Sequence, residues 1–340
     1  MANMNISTPR FYPDIVNFLM SRGLGQDGNF DVITGSNLIG VQTGSEAELF
    51  DMRPLNKVDF NTSAATSDHV LVNIDTQSTS TKKSFVAILN HNMASADAKV
   101  LIKASNTESH VQAVNMGSAT AMDTPAEVVN ANAISSSIVT PDSDGSTIVK
   151  FAEQSLRYWG IQFEGNSSNT FSSTDLFVGC ILIGEYYEMP HAPDLNVTRM
   201  ISYNRLNDLQ ESHGGQRFSN LKSYGRTAES TSKSPFTTAS NGYDSQGGRL
   251  IYDMNFSFID ATDLMPDEYD IVADDDNFVD DVWNKTNGNH IPFIFSIDKS
   301  SEGDNAESEH VFGRFANNSL DMTQVAPNVF NISLTVEEEF

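Results

Sequence analysis

Three carboxylates form the one metal-like spacing in this sequence. Asp142, Asp144 and Glu153 stand at positions 1, 3 and 12 of a segment that begins DSDGS. Carboxylate oxygens at these positions are the hard ligands of a helix-flanked calcium loop. The glycine falls at position 4 instead of position 6, and no helical pattern flanks the segment. The spacing makes these three residues a calcium candidate, while a plain turn between two strands is the favoured interpretation.

The other motifs that carry chemistry are missing from the sequence. It contains no Gly-rich loop ending in Lys-Ser or Lys-Thr, no GxSxG elbow, no HExxH and no CxxC pair. Its seven histidines are scattered, and none lies at ligand spacing from another. The single cysteine, Cys180, lies in the apolar stretch FVGCILIG, where a small buried hydrophobe is expected rather than a nucleophile. We therefore predict no catalytic residue, no cofactor, no resident metal and no enzyme activity.

Aromatic and acidic side chains offer two weaker signals. Tyr158-Trp159, Tyr186-Tyr187 and Trp283 could stack on sugar rings, although aromatic residues at strand or helix spacing are usually core. The acidic runs 274–276 and 280–281 precede or begin a helical pattern over 273–285. We expect both runs to be a solvated face at the start of that helix, because carboxylates are favourable at a helix N-terminus.

Composition limits the class of partner. The chain has 20 Lys and Arg against 45 Asp and Glu, so its formal charge is 20 − 45 = −25. Such an excess repels nucleic-acid phosphates and anionic lipids, which predicts neither sequence-specific nucleic-acid binding nor membrane docking. One cysteine allows no intrachain disulfide, and the longest apolar stretch is too short to span a bilayer. The first residues show no signal-peptide pattern, so a soluble protein made in the cytoplasm is expected.

Most of the predicted secondary-structure elements that position these residues are short strands. The first helical pattern lies near residues 9–23, with Pro9 in its first turn and Gly23 at its end. Period-2 or fully apolar segments follow, and DLFVGCILIGEYY is apolar on both faces, which places it centrally in a sandwich. Near the end, Phe330, Ile332, Leu334 and Val336 alternate with polar residues and predict a core face.

These patterns predict a mainly β protein with three segments. Residues 1–45 form an N-terminal helix and an extended, Gly-rich arm that is independent of the sandwich. Residues 46–187 form a β-sandwich domain of jelly-roll-like type. Residues 188–340 form a second β-barrel or sandwich domain with one helix, and a long polar loop or hairpin occupies 204–248.

The order of several segments resembles a family of tailed-bacteriophage virion proteins of the distal tail. A strand ending in a His-Asn turn is followed by a Tyr-Trp strand, a strand with an Ile-Gly step, a Gly-Gly turn, an Arg-led amphipathic strand, a short helix and a C-terminal Glu-Glu. The matching segments are VAILNHNMASADAKVLIKAS, RYWGIQFEG, DLFVGCILIGEYYEMP, HGGQ at 213–216, RLIYDMNFSFID and TVEEE at 335–339. The resemblance covers about residues 50–340. The segment between the Gly-Gly turn and Arg249 is longer than in the family.

The resemblance implies a non-catalytic structural subunit of the virion. It implies a tail-tube-like C-terminal domain, a homo-oligomeric ring or adaptor at the tail tip or baseplate, other tail proteins as partners, and location in the virion tail after synthesis in a bacterial cytoplasm. One alternative is a receptor- or carbohydrate-binding β-sandwich module of the tail. Two others are a capsid or head-associated structural protein and a polysaccharide depolymerase.

Overall fold

The architecture is seen in a computed structural model of the chain, which describes residues 5–24, 29–131, 133–135, 137–202, 209–219, 234–236, 249–267, 276–303 and 306–339. The described strands, in chain order, are β1 (Arg10–Tyr12), β2 (Phe30–Ile33), β3 (Val41–Thr43), β4 (Val58–Phe60), β5 (Val70–Asp75), β6 (Lys83–His91), β7 (Ala98–Ser105), β8 (Thr120–Ala121), β9 (Ala126–Val129), β10 (Ala133–Ser135), β11 (Ile138–Thr140), β12 (Gly145–Gln154), β13 (Tyr158–Gly165), β14 (Leu176–Val178), β15 (Cys180–Gly184), β16 (Tyr187–Glu188), β17 (Thr198–Ser202), β18 (Leu209–Glu211), β19 (Arg217–Ser219), β20 (Arg249–Asp260), β21 (Phe293–Ser296), β22 (His310–Phe315), β23 (Met322–Ala326) and β24 (Val329–Glu338).

Helices are short in the described part of the chain. They are α1 (Ile15–Ser21), α2 (Ala261–Leu264) and a π-helical segment, α3 (Val279–Asn284). Four 3-10 turns accompany them, at Glu46–Phe50, Glu108–His110, Val114–Met116 and Ala306–Glu309. The prediction of a mainly β protein containing a sandwich is therefore confirmed.

Three sheets make up most of the molecule. The outer sheet has the order β10-β11-β7-β13-β5-β2, with β8 beside β7. The middle sheet has the order β15-β6-β12-β9. The C-terminal sheet has the order β16-β1-β21-β22-β24-β20-β17, with β23 beside β24. A small sheet, β14-β4-β3, and the hairpin β18-β19 complete the described strands.

The middle sheet is buried on both faces, as the sequence predicts for DLFVGCILIGEYY. In β15, Ile181 and Ile183 pack into a core shared with the outer sheet. Cys180 and Leu182 point the other way, into a core shared with the C-terminal sheet. When both faces of a strand are buried, apolar side chains are favourable at every position, because each buried aliphatic side chain contributes about 1.5–3 kcal/mol on either face. Such a strand therefore shows no alternation of apolar and polar residues.

The N-terminal segment differs from its prediction. Residues near Pro9 do not begin a helix, because Arg10–Tyr12 is a strand that pairs with both β16 and β21. Helix α1 begins after Asp14, whose side chain accepts from the backbone N–H of Asn17, and it buries Ile15, Val16, Phe18 and Leu19. The strand and the helix of this segment each contribute to a core, which argues against the expected independence. The division of the chain at residues 45 and 187 stays a prediction.

The C-terminal sheet carries its own core on its far face. Tyr252, Met254 and Phe256 of β20 and Ile332, Leu334 and Val336 of β24 meet there beneath α3. The alternation predicted for β24 is confirmed for these last three side chains, while Phe330 is half-buried. The hairpin predicted around Gly214-Gly215 is present as β18-β19, and Gly215 has the positive φ of 79° that its turn requires. The rest of the predicted loop 204–248 lies outside the described residues, apart from 234–236, where Phe236 is buried.

No helix in the described ranges is long and apolar enough to cross a membrane.

Candidate functional site

The three calcium candidates do not share a site. Asp142 and Asp144 lie in the turn before β12, whereas Glu153 lies near the far end of that strand. Eight residues of extended chain separate its first residue, Gly145, from Glu153, a span of roughly 25 Å. Asp144 instead accepts a hydrogen bond from the backbone N–H of Ser95 at 2.9 Å. The calcium candidate is therefore corrected: the favoured interpretation, a turn between strands, is what the structure shows.

Glu153 belongs to a different carboxylate cluster. In the described part of the chain, ligand atoms of three potential metal-binding side chains converge at Glu153, Glu185 and Asp276, all within 4.8 Å. Lys82 lies 3.6 Å from Glu153 and 3.2 Å from Asp276, and Lys285 lies 3.4 Å from Glu185. These two ammonium groups already pair with all three carboxylates, so we interpret the cluster as an ion-pair network between the middle sheet and the segment around α3.

The same network overturns the prediction for the second acidic run. Asp280 and Asp281 are buried instead of solvated, and Asp281 lies 2.8 Å from the Nζ of Lys285. Asp281 also accepts from the backbone N–H of Asn277 at 3.1 Å. Of the first run, only Asp276 is among the described residues, and it is exposed. Burial raises the pKa of Glu185 to about 7, against the opposing effect of Lys285.

The aromatic residues considered for sugar stacking lie in different parts of the structure. Trp159 is buried in the core between the outer and middle sheets, and Trp283 packs against Phe315. Tyr187 is buried in the C-terminal core, and Tyr186 is half-buried with the guanidinium of Arg10 over its ring. Cys180 is buried as predicted, and burial raises the pKa of its thiol.

Tyr158 points the opposite way from Trp159, onto the solvent face of the outer sheet. In the pairing of β13 with β5, Tyr158 lies opposite Asp75 and Gly160 lies opposite Asn73. On the other side of β5, Asp31 of β2 also lies opposite Asn73. Paired residues of antiparallel strands share a face, and residues two apart along a strand also share it. Three adjacent strands therefore present these polar side chains side by side on one surface.

A folded-back loop leaves a groove on this surface. The loop over residues 106–119 packs against Gly160, where any Cβ would collide with the Sδ of Met116. Lys103 fixes the same loop by donating to the backbone carbonyls of Asn115 and Met116. The loop covers the middle of the face, and an open cavity of about 220 Å³ remains at the β2 edge of the sheet. We call this cavity the outer groove; its lining residues are Asn29, Phe30, Asp31, Glu46, Asn73, Ile74, Asp75, Glu108, Gln112 and Tyr158.

The floor of the outer groove contains an unsatisfied acceptor. Asn73 is 7% exposed, and its side-chain Oδ1 has no hydrogen-bond partner among the described residues. Such a group costs about 1–3 kcal/mol when it is removed from water without a partner. Beside it, Asp75 is held by a two-point ion pair with Arg157 at 2.7 Å, and that guanidinium lies 4.8 Å from the ring centroid of Tyr158. The groove thus combines a fixed aromatic ring with polar groups in fixed positions.

A larger cavity, of about 620 Å³, lies between residues 52–56 and the C-terminal sheet. Most of its charged groups already have partners within the protein: Arg314 donates to Glu339 and to the carbonyl of His290, Arg249 lies 3.9 Å from Glu337, and Glu338 accepts from the backbone N–H of Leu250. Its two aromatic residues, Phe312 and Phe315, are both buried in the core. The outer groove is therefore the better candidate for a binding site.

Sequence reasoning found one residue of the outer groove and missed the others. Tyr158 was a candidate for sugar stacking, whereas Asn73 and Asp31 were not singled out. The available signal was a polar residue inside an otherwise apolar strand: in HVLVNID, Asn73 is the polar residue within the buried run 70–74. Glu108 and Gln112 come from a loop whose path only the folded chain defines.

No protein-family model matches this chain, and no curated protein matches it. Among solved structures, it is similar to a chitosan-binding module of a chitosanase/glucanase from Paenibacillus sp. IK-5, with a TM-score of 0.28 and 13% identity over 46% of this chain and 92% of that one. It is similar to CpGH89CBM32-6 from Clostridium perfringens, with a TM-score of 0.25 and 14% identity over 49% and 98% of the two chains. A truncated AlyQ with CBM32 and alginate lyase domains has a TM-score of 0.27 and 13% identity over 68% and 49%. TM-scores this low leave the function to be argued from the residues of the chain itself.

Proposed function

We propose that this chain is a non-catalytic β-sandwich protein that binds a saccharide in the outer groove. The observation that carries the proposal is the buried, unpartnered Oδ1 of Asn73 in the floor of that groove. The Oδ1 atom itself exposes less than 1 Å², so a rotation of the Asn73 amide towards the cavity would let a bound hydroxyl group satisfy this acceptor and remove the cost of leaving it unpaired.

The chemistry around Asn73 suits a polyhydroxylated ring. Asp31, Glu108 and the amide of Gln112 supply further hydrogen-bonding groups for hydroxyls, and Tyr158 supplies an apolar ring beside them. The volume of about 220 Å³ is below the roughly 300–1,000 Å³ of sites that enclose drug-sized ligands. This size suits about one sugar ring, with the rest of a chain lying in solvent.

Binding without hydrolysis is the simplest use of these carboxylates. A glycosidase needs one carboxylic acid and one carboxylate across the scissile bond. Asp75 is instead fixed by Arg157, and Glu46 accepts from the backbone N–H of Val32 at 3.1 Å. Both side chains therefore serve the shape of the groove in this proposal, and the other two carboxylates of the lining, Asp31 and Glu108, are assigned to ligand binding.

A glycan array followed by calorimetry with the strongest saccharide tests the proposal. We expect Asn73→Leu to weaken binding about tenfold, because one buried hydrogen bond is lost. The same substitution should leave the melting temperature equal or higher, since a side chain of similar size replaces an unsatisfied polar group. Asn166→Leu, an exposed position just after β13, is the matched control and should bind as the parent protein does. An array without any signal, or an Asn73→Leu protein with full affinity, would contradict the proposal.

A second candidate function is the structural subunit of a phage tail that the sequence resemblance implies. Its support is a set of exposed apolar side chains on two strands at the edges of the C-terminal sheet. They are Met200 and Ile201 on β17, and Met322 and Val325 on β23. Unpaired edges of this kind pair with neighbouring subunits. Analytical ultracentrifugation across a salt series would show a ring that Ile201→Lys disrupts, and labelled electron microscopy would locate it in a particle. A monomer at every salt concentration would contradict this candidate.

A further inference from the structure

The outer groove carries a strong excess of negative charge. Its lining includes the carboxylates of Asp31, Glu46, Asp75 and Glu108, and the nearest cation is Arg157. Four negative groups and one positive group give 1 − 4 = −3 for a space of about 220 Å³. A neutral sugar would not need this charge, and an acidic sugar would be repelled by it.

The carboxylates of the groove are spread along its walls. They are not among the described side chains whose ligand atoms converge within 4.8 Å, a condition met at Glu153, Glu185 and Asp276. A compact metal ion needs its oxygen ligands gathered around one point. The arrangement therefore favours a larger ligand with a positive charge at one position and neutral donors elsewhere.

Two of the acidic side chains remain available to such a ligand. The carboxylate of Asp31 is exposed and makes no side-chain hydrogen bond or ion pair with the residues that the structure describes. Glu108 is also exposed, and its Oε1 accepts from the side chain of Gln112 at 3.0 Å. Asn73 opposes Asp31 across the β2–β5 pair, so an ammonium group and a hydroxyl of one ring could reach both.

We infer that the outer groove selects an amino sugar in its protonated form. This inference rests on the proposed saccharide-binding function and names its ligand class. The ammonium group donates to the carboxylate of Asp31 and lies within the field of Glu108, while a ring hydroxyl donates to the Oδ1 of Asn73. The neutral N-acetylated sugar has the same ring but lacks the charge that these carboxylates attract.

Calorimetry with three oligosaccharides of equal length separates the possibilities. The probes are tetramers of glucosamine, of N-acetylglucosamine and of glucose, each titrated at about pH 6 in moderate salt. We expect the glucosamine tetramer to bind at least about tenfold more tightly than the other two, the size typical of a hydrogen bond to a charged group. Higher salt should reduce this preference, because exposed charges are screened.

Charge-neutral variants identify where the preference arises. Asp31→Asn and Glu108→Gln should remove most of the preference for glucosamine, so that the glucosamine and glucose tetramers bind each variant with about equal affinity. Asp321→Asn removes the same charge from an exposed turn before β23 and should leave the preference intact. If Asp321→Asn weakens glucosamine binding as much as Asp31→Asn does, the net charge of −25 attracts the polycation and the inference is wrong.

The remaining outcomes test the selection of an amino sugar separately from saccharide binding itself. Equal binding of all three tetramers would overturn selection for an amino sugar and leave saccharide binding in place. Binding of none of them, together with an empty glycan array, would overturn both.

Discussion

Burial holds two imidazole rings in their neutral form. His91 accepts from the backbone N–H of Met93 and lies 2.8 Å from the Oγ1 of Thr147, and burial lowers its pKa to about 3. His310 lies 2.9 Å from the carbonyl of Ala306, and burial lowers its pKa to about 4. Unfolded histidine has a pKa near 6.5, so the unfolded chain binds more protons in mild acid.

The resulting stability is complete above about pH 6.5 and is lost as the pH falls towards the two folded-state values. Between about pH 7.5 and pH 5, each imidazole should cost about 2 kcal/mol of unfolding free energy. Glu185 acts with the opposite sign, because its folded pKa is raised to about 7 and its contribution is lost as the pH rises. The comparison of His310→Gln with the parent protein therefore isolates the effect.

Urea denaturation at several pH values measures that difference. The His310→Gln protein should lose less stability on acidification than the parent protein does. A variant with the parent's full pH dependence would show that His310 is not the titrating group.

At the scale of elements, the alternation of apolar and polar residues in β24 determines which of its side chains are buried. Ile332, Leu334 and Val336 are buried, while Ser333 between them is exposed. Phe330 departs from this pattern because the partner strand β20 contains a bulge between Phe256 and Ile259, where the pairing register shifts. The strand therefore packs tightly over its second half, where it also pairs with β22.

Truncating one buried side chain of β24 should be costly. We expect Leu334→Ala to lower the free energy of unfolding by about 2–5 kcal/mol, since it removes apolar contacts and leaves a cavity in the core beneath α3. Ser333→Ala on the opposite face should change it by less than about 1 kcal/mol, because it removes a single exposed hydrogen bond to Asn255. Thermal and urea unfolding of the two variants provide the measurement, and equal effects would show that the assigned faces are wrong.

At the scale of the molecule, the N-terminal segment ties the sheets together. Arg10 forms ion pairs with Glu188 and Glu302, and it lies 3.1 Å from the hydroxyl of Tyr12. In β1, Phe11 belongs to the far core of the C-terminal sheet, and Tyr12 belongs to the core against the middle sheet. Helix α1 then crosses to the core shared with the outer sheet.

Removal of the first 24 residues should therefore abolish folding. The truncated protein would leave β16 without a partner strand, β21 with one unpaired edge, and three cores incomplete, so we expect insoluble protein or the loss of a cooperative thermal transition. Removal of only the first five residues is the control and should leave the transition unchanged. Soluble expression and circular dichroism melts measure both outcomes. A cooperative transition after removal of 24 residues would support the prediction from the sequence that the N-terminal segment folds independently of the sandwich.

Patterns between near neighbours were enough to predict the strand content. The alternation in β20 and β24, the two-sided apolarity of β15 and the burial of Cys180 are set by residues within a few positions of one another. Backbone geometry alone converts such spacing into faces. These features needed no knowledge of the partner strands.

What the tertiary structure decided depends on residues far apart in the sequence. Asp281 is buried beside its near neighbour Lys285, whose ammonium group also pairs with the distant Glu185, although the local pattern around Asp281 suggested solvent. Asp31, Asn73 and Tyr158 share one groove because three strands pair in a particular register. A local pattern fixes which residues share a face of one strand, but only long-range pairing fixes which faces meet. For that reason the sequence determined the β architecture of this protein, and the folded chain determined the position of its candidate site.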